Sequence, residues 1–96
     1  MPTYARTQRF MRDHARLTAE QKQAFRQAVD GFVEALRTGV PRSGLRISGV
    51  QGAPGIFEMT WAPDGRATFQ YGPPQAAGEA HIIWRRVGSH DIFGNP

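Results

Sequence analysis

The chain changes its hydrophobic period once, and this change constrains the fold more than any other feature. Before Gly39 the apolar residues recur at helical spacing, and after Pro41 they alternate as they do in strands. Gly39 followed by Pro41 is a normal end for a helix, because glycine accepts the left-handed conformation and proline cannot continue a helix. The sequence therefore predicts an α+β fold in which the helices come first.

Two helices are predicted before that change. The first covers residues 4–17, and its apolar arc, which should face the core, consists of Phe10, His14 and Leu17. A neighbouring arc carries Arg6, Arg9, Arg12 and Arg16. This arginine stripe is either a ridge that faces a polyanion or a solvated surface.

The second helix begins after Thr18, which forms a capping-box pattern with Gln21. Its apolar residues keep helical spacing over three turns: Phe25, Val29, Phe32, Val33 and Leu36. The two helices should form a hairpin with one apolar side.

Four strands are predicted after Pro41, over residues 45–48, 56–61, 66–71 and 80–86. Pro63-Asp64-Gly65 is a turn signal that should join the middle two strands as a hairpin. We expect the helix hairpin to pack on one face of a curved, mainly antiparallel four-stranded sheet. Residues 1–96 should form a single domain, with the other face of the sheet open to solvent and partners.

Composition excludes several classes of protein. The chain has 96 residues and no cysteine, so disulfides and thiolate metal sites are excluded. It has no long apolar run and no signal-like segment, so we expect a cytoplasmic protein. The histidines stand at no recognised metal-ligand spacing, and neither a glycine-rich phosphate loop nor a nucleophile elbow is present. We therefore expect no metal and no cofactor.

The charge balance favours a polyanionic partner. The formal net charge is +4, and eleven of the twelve basic side chains are arginine. Arginine suits phosphate oxygens and base edges, because its guanidinium is planar and bidentate. The alternative is a compositional bias of GC-rich coding, since alanine, glycine and proline are also abundant.

The end of the chain carries the densest chemistry. Arg85, Arg86, His90, Asp91 and Phe93 fall within ten residues. These groups suit metal-free phosphoryl transfer on RNA: arginine stabilises charge on phosphorus, histidine and carboxylate move protons, and an aromatic ring stacks on a base. Each also has a structural alternative: the histidine and aspartate as capping residues, the phenylalanine as a core anchor. Because successive strand residues alternate, at most one of the two arginines should face a given site.

Several segments resemble one known family. Arg86-Val87-Gly88-Ser89-His90 followed by Phe93-Gly94 resembles the Arg-Thr-Gly-Thr-His…Phe-Gly ending of YafQ-type toxins in the RelE/ParE superfamily. The strand pattern is also similar, from Leu45-Arg46 through Gly55-Ile56-Phe57-Glu58-Met59 to Arg66 and Phe69-Gln70-Tyr71. The resemblance covers nearly the whole chain, but the family's first strand is barely visible in residues 1–5.

The resemblance implies roles for particular residues. It implies catalytic roles for Arg86, which would bind the phosphate, and for His90, Glu58 and Arg66. RNA-binding residues would be Arg46, Arg85 and Phe93, with the helical arginines Arg9, Arg12 and Arg16. The second histidine of YafQ-type members has no counterpart here, because Trp61 stands near that place.

The family's activity supplies the functional expectation. It implies the toxin of a type II toxin-antitoxin system, an endoribonuclease that cleaves mRNA on the ribosome and is neutralised by a cognate antitoxin. The alternatives are a ParE-like gyrase poison and a catalytically inactive RNA- or protein-binding module with the same fold.

Overall fold

Two helices lie against one face of a five-stranded sheet in a computed structural model that describes residues 2–40 and 46–96. The strands are β1 (Thr3–Arg6), β2 (Arg46–Gly49), β3 (Phe57–Thr60), β4 (Arg66–Gly72) and β5 (His81–Gly88). The helices are α1 (Gln8–Ala15) and α2 (Ala19–Thr38), and a 3-10 helix covers His90–Gly94. The predicted α+β class is confirmed.

The caps of the helices follow the sequence closely. The Thr18 hydroxyl accepts from the Gln21 amide, and the Gln21 side chain accepts from the Thr18 amide, which completes the predicted capping box. Gly39 ends α2 with φ at 73°, a left-handed conformation that costs glycine little. Both predicted ends of the second helix are therefore confirmed.

The predicted first helix is wrong in its first turn. Residues 4–6 belong to β1, which pairs in parallel with β5, and the helix begins only after Thr7. The Thr7 hydroxyl accepts from the Phe10 amide at 3.0 Å, so Thr7 is the N-cap. The sheet consequently has five strands, not four, in the order β1-β5-β4-β3-β2. Arg6 leaves the predicted helical stripe and lies on β1.

The other strands agree with the predicted pattern to within two residues. The β2–β3, β3–β4 and β4–β5 pairs are all antiparallel. The Gly65 amide donates to the Ala62 carbonyl at 3.0 Å, which closes the predicted turn between β3 and β4. Leu45, the first residue of the predicted 45–48 strand, lies outside the described residues. No helix within the described ranges is both long and apolar enough to cross a membrane.

Aromatic rings fill the space between α2 and the sheet. Trp84 of β5 is 5 % exposed, and four phenylalanine rings lie within 6.1 Å of its ring, centroid to centroid. They are Phe10 of α1, Phe25 and Phe32 of α2, and Phe69 of β4. Phe25 and Phe32 thus pack α2 on the sheet through ring contacts at edge-on angles, which aromatic pairs prefer. Trp84 is therefore a central residue of the core.

The turn before β4 brings a tryptophan ring against glycine backbone. A β-carbon placed on Gly65 would lie 2.6 Å from the ring carbons of Trp61. That ring also contacts Phe25 edge-on, with centroids 6.0 Å apart, so it is held from the α2 side. The glycine is therefore required by the packing of Trp61.

We expect Gly65→Ala to lower the free energy of unfolding by roughly 1–3 kcal/mol, because the added methyl group must displace a packed indole. The matched control is Gly49→Ala, since a β-carbon there meets no atom within 4 Å. Chemical denaturation of both variants measures the difference. Equal stability of the two variants would contradict this packing.

Candidate functional site

A bulge in β5 decides which way its two arginines point. Thr68 pairs with Arg86 and Phe69 pairs with Trp84, so Arg85 is an extra residue in β5. Trp84 and Val87 both lie in the core, at 5 % and 1 % exposure, although they are three positions apart. The two arginines between them therefore share the opposite face. The prediction that Arg85 and Arg86 alternate across the sheet is wrong, because it assumed an unbroken strand.

The face away from the helices, here named the open face, carries rows of polar side chains. Glu58, Thr68 and Arg86 pair directly across β3, β4 and β5. Residues opposite each other on neighbouring strands lie on one side of the sheet. Two strand spacings put the Cα atoms of Glu58 and Arg86 about 10 Å apart. A carboxylate and a guanidinium therefore flank Thr68, which is fully buried. The Thr68 hydroxyl donates to the Pro96 main-chain oxygen at 3.5 Å, so the last residue of the chain lies over this place.

A second row lies beside the first. Arg46 of β2, Thr60 of β3 and Arg66 of β4 pair across the sheet on the same open face. Arg66 Nη1 donates to the carbonyl oxygens of Ala62 and Gly65 at 3.2 and 3.0 Å. This guanidinium therefore holds the β3–β4 turn, and it makes no carboxylate pair within the described ranges.

Asp13 of α1 forms an ion pair with Arg86 of β5. Its carboxylate accepts from Arg86 Nε at 2.6 Å and from Nη2 at 3.1 Å, with both side chains at most 17 % exposed. The same carboxylate accepts from the Val87 amide at 3.3 Å. The hydrogen bond to Asp13 raises the pKa of Arg86 above its usual value. Asp13 thus fixes the orientation of the Arg86 guanidinium. It also accepts a hydrogen bond from the Val87 amide, which lies beyond the last residue of β5 that pairs with β1.

The last two residues lie against the arginines. Arg86 Nη1 donates to the Asn95 carbonyl at 3.1 Å, and Arg85 Nε donates to the Pro96 main-chain oxygen at 3.1 Å. Arg85 Nη1 also donates to the Gln70 side-chain oxygen. With the Asn95 amide turned to present its oxygen, that atom accepts from Arg9 at 2.8 and 3.0 Å. Arg9, Arg85 and Arg86 therefore converge on oxygen acceptors at one place.

His90 and Phe93 form a separate pair at the start and middle of the 3-10 helix. Their rings meet edge-on with centroids 4.9 Å apart, and His90 is exposed while Phe93 is half-buried. Ile92, at 5 % exposure, anchors this helix in place of Phe93. Within the described ranges no hydrogen bond or ion pair joins His90 to Arg86.

The remaining predicted arginines are solvated. Arg12 and Arg16 are exposed on and after α1, and Arg46 is exposed on β2. The structure thus brings Glu58, Arg66, Arg85 and Arg86 onto one face of the sheet. Asn95 links Arg9 to Arg86, and we name Arg9, Arg85 and Arg86 the arginine cluster.

Sequence reasoning missed Asp13. The available signal was an acidic residue in the last turn of a helix, where the helix dipole disfavours negative charge. A carboxylate at such a place needs a cation from elsewhere in the chain. The partner, Arg86, is 73 residues away in sequence.

We expect Asp13→Ala to cost roughly 2–4 kcal/mol of stability, because it leaves a largely buried guanidinium without its counter-ion. A double-mutant cycle with Arg86→Ala measures the coupling between the two side chains. Arg37→Ala on α2 is the control, since Arg37 and its partner Glu34 are solvent-exposed. A coupling energy near zero would show that the pair does not hold this site together.

The fold is shared with solved toxin structures. The YoeB/ParE toxin from Agrobacterium tumefaciens matches with a TM-score of 0.67 and 13 % identity, covering 92 % of this chain and 98 % of that one. A metal-bound toxin from Helicobacter pylori matches with a TM-score of 0.64 and 21 % identity, covering 95 % and 97 %. The DinJ–YafQ toxin-antitoxin complex from Escherichia coli matches with a TM-score of 0.62 and 13 % identity, covering 95 % and 94 %.

Comparison of the sequence gives no match, either to a protein-family model or to a curated protein. The likeness is therefore one of architecture: helices on one face of a mixed, mostly antiparallel sheet, with coverage near 95 %. The chain has the fold of RelE/ParE-superfamily toxins.

Proposed function

We propose that this chain is the toxin of a type II toxin-antitoxin system and that it cleaves mRNA without a metal ion. The observation that carries the proposal is the Glu58–Thr68–Arg86 row, which places a carboxylate and a guanidinium on one face of the sheet with their Cα atoms about 10 Å apart. A ribose and its 3′-phosphate would lie between these two groups, in the place over Thr68 that Pro96 takes in this structure.

Glu58 is the proposed general base. Within the described ranges its carboxylate forms no ion pair or hydrogen bond, so its oxygens remain available to accept a proton. It would take the proton of the 2′-hydroxyl while the 2′ oxygen forms a bond to phosphorus. The bond from phosphorus to the 5′ oxygen then breaks, which leaves a 2′,3′-cyclic phosphate.

Arg66 and Arg86 are the proposed electrostatic residues. A guanidinium has five N–H donors, and the hydrogen bonds of Arg86 to Asp13 and Asn95 occupy three of them. Two donors remain for a phosphate oxygen, held in orientation by Asp13. Arg66 has no carboxylate partner within the described ranges, so it would supply the uncompensated positive charge.

His90 is the proposed general acid for the leaving 5′ oxygen. An imidazole can carry a proton near neutral pH, and this one is exposed. Phe93, at its edge, would stack on a splayed base and so fix the RNA beside the imidazole.

The RNA backbone would be held by the arginines around these groups. Arg9 and Arg85 lie at the arginine cluster, and Arg12, Arg16 and Arg46 extend exposed positive charge away from it. We assign the mRNA on the ribosome, in the cytoplasm, as the substrate. A cognate antitoxin as partner is supported by the DinJ–YafQ structure, which is a toxin-antitoxin complex.

One observation favours a second candidate, a non-cleaving member of the same fold such as a gyrase poison. Asp13 neutralises Arg86, which weakens the attraction of that guanidinium for phosphate. Induced expression separates the two functions: shortened mRNA indicates the ribonuclease, whereas a DNA damage response with intact mRNA indicates the gyrase poison.

We expect Glu58→Gln, Arg66→Ala and His90→Ala each to slow mRNA cleavage about 10²–10³-fold, because each removes a proton-transfer or charge-stabilising group. Transcript mapping after induced expression measures cleavage, and denaturation shows that the variants fold. Glu20→Gln, on the exposed first turn of α2, is the matched control and should cleave like wild type. Full activity in all three variants would overturn the assignment.

A further inference from the structure

Residues 95 and 96 of the same chain cover the arginine cluster. The Asn95 main-chain oxygen accepts from Arg86 Nη1 at 3.1 Å. The Pro96 main-chain oxygen accepts from Arg85 Nε, also at 3.1 Å. With its amide turned to present the oxygen, the Asn95 side chain accepts from Arg9 at 2.8 and 3.0 Å. Each guanidinium of the cluster therefore donates to this dipeptide.

Asn95 offers neutral oxygens to the cluster. Its main-chain carbonyl and its side-chain amide carry no formal charge, and within the described ranges Arg9 has no carboxylate partner. A guanidinium binds an ionised oxygen more strongly than a neutral one, because Coulomb attraction adds to the hydrogen bond. The contact between Arg9 and Asn95 is therefore weaker than the contact that a phosphate would make.

The donors around the dipeptide belong to three different elements. Arg9 lies on α1, and Arg85 and Arg86 lie on β5. Thr68 lies on β4, and its hydroxyl donates to the Pro96 main-chain oxygen at 3.5 Å. Proline has no main-chain N–H, so residue 96 turns only an acceptor toward these donors. Donors that converge from several directions suit a tetrahedral phosphate better than a planar carboxylate, whose oxygens lie in one plane.

The dipeptide can leave the cluster without opening the core. Ile92 anchors the 3-10 helix at 5 % exposure, whereas Gly94 and Asn95 are exposed and Pro96 is half-buried. The Asn95 amide donates to the Ile92 carbonyl at 3.0 Å, so the anchor lies close to the cluster. A ligand tethered this closely has an effective concentration on the order of millimolar, and it competes with any free ligand.

We propose that residues 95 and 96 are an internal competitor of the substrate: they occupy a phosphate site in the arginine cluster, and RNA must displace them to bind. Phosphate oxygens of the RNA strand take the positions that the oxygens of the dipeptide fill in this structure. The affinity of the free chain for phosphate is lowered by the fraction of molecules in which the dipeptide is bound. The assignment of the phosphate to mRNA rests on the proposed function, whereas the displacement of the dipeptide by phosphate does not.

Inorganic phosphate and acetate are the probes, and NMR spectra of the whole chain report their binding. We expect phosphate to shift the Nε–H resonances of Arg85 and Arg86 and the Asn95 amide resonance with one affinity, because one displacement affects all three. Phosphate that fails to bind, or that binds and leaves the Asn95 amide unshifted, would overturn the proposal. Tighter binding of acetate than of phosphate would also overturn it, because the site would then suit an acidic protein segment.

Two substitutions of Asn95 should change the phosphate affinity in opposite directions. Asn95→Asp should weaken phosphate binding at least about tenfold, because the new carboxylate pairs with Arg9 and holds the dipeptide in place. Asn95→Ala should strengthen phosphate binding about threefold to tenfold, because the dipeptide loses its contact with Arg9.

Gln75→Glu is the matched control for the added negative charge. Gln75 lies in the connection between β4 and β5, at the end of β5 away from the arginine cluster, so this variant should bind phosphate like wild type. Weaker phosphate binding by Asn95→Ala would make Asn95 a part of the phosphate site and would overturn the proposal. Equal affinities for Asn95→Asp and Gln75→Glu would overturn it as well.

The same variants separate this proposal from the proposed function. At RNA concentrations below saturation, Asn95→Ala should cleave mRNA faster than wild type and Asn95→Asp should cleave it more slowly. Displacement of residues 95 and 96 by phosphate in a chain that cleaves no RNA would support the internal competitor and count against the ribonuclease. Cleavage by a chain whose Asn95 amide does not respond to phosphate would do the reverse.

Discussion

A bulge in β5 organises both sides of this molecule. At the bulge, Arg85 is an extra residue opposite Thr68 and Phe69 of β4. Because of the bulge, the side chains of Trp84 and Val87 both lie in the core, and those of Arg85 and Arg86 lie on the opposite face of the sheet. An unbroken strand would bury a guanidinium or expose an apolar side chain, and an unpaired buried charge costs several kcal/mol. The arginine cluster is thus a consequence of core packing, and Asp13 then holds Arg86 in one orientation.

Much of the fold could be predicted because its signals are local. The capping box at Thr18, the left-handed Gly39 and the turn at Pro63-Asp64-Gly65 each depend on a few neighbouring residues. Apolar and polar residues alternate in β3 and β4, and this alternation indicates which side chains lie in the core. Met59, Ala67 and Phe69 are all buried, in agreement with it.

What could not be predicted depends on contacts that are distant in sequence. Residues 4–6 fit a helical spacing, but their main chain pairs with β5, 78 residues away, and no local pattern specifies that pairing. The bulge likewise has no signature in a strand read residue by residue. Among the site residues, Arg86 and His90 were suggested by the chemistry of the last ten residues, whereas Asp13 acquires its role only when α1 docks beside β5.

The two sides of the sheet carry different chemistry. The open face combines guanidiniums with the carboxylate of Glu58, and the helix side combines an apolar groove with cations at one end. The structure of the RNA ends tests the account of the open face most directly. If cleavage is an attack by the 2′-hydroxyl, mRNA cut by the purified chain on ribosomes will carry 2′,3′-cyclic phosphate and 5′-hydroxyl ends. Ends with a 5′-phosphate, or uncut mRNA, would contradict it.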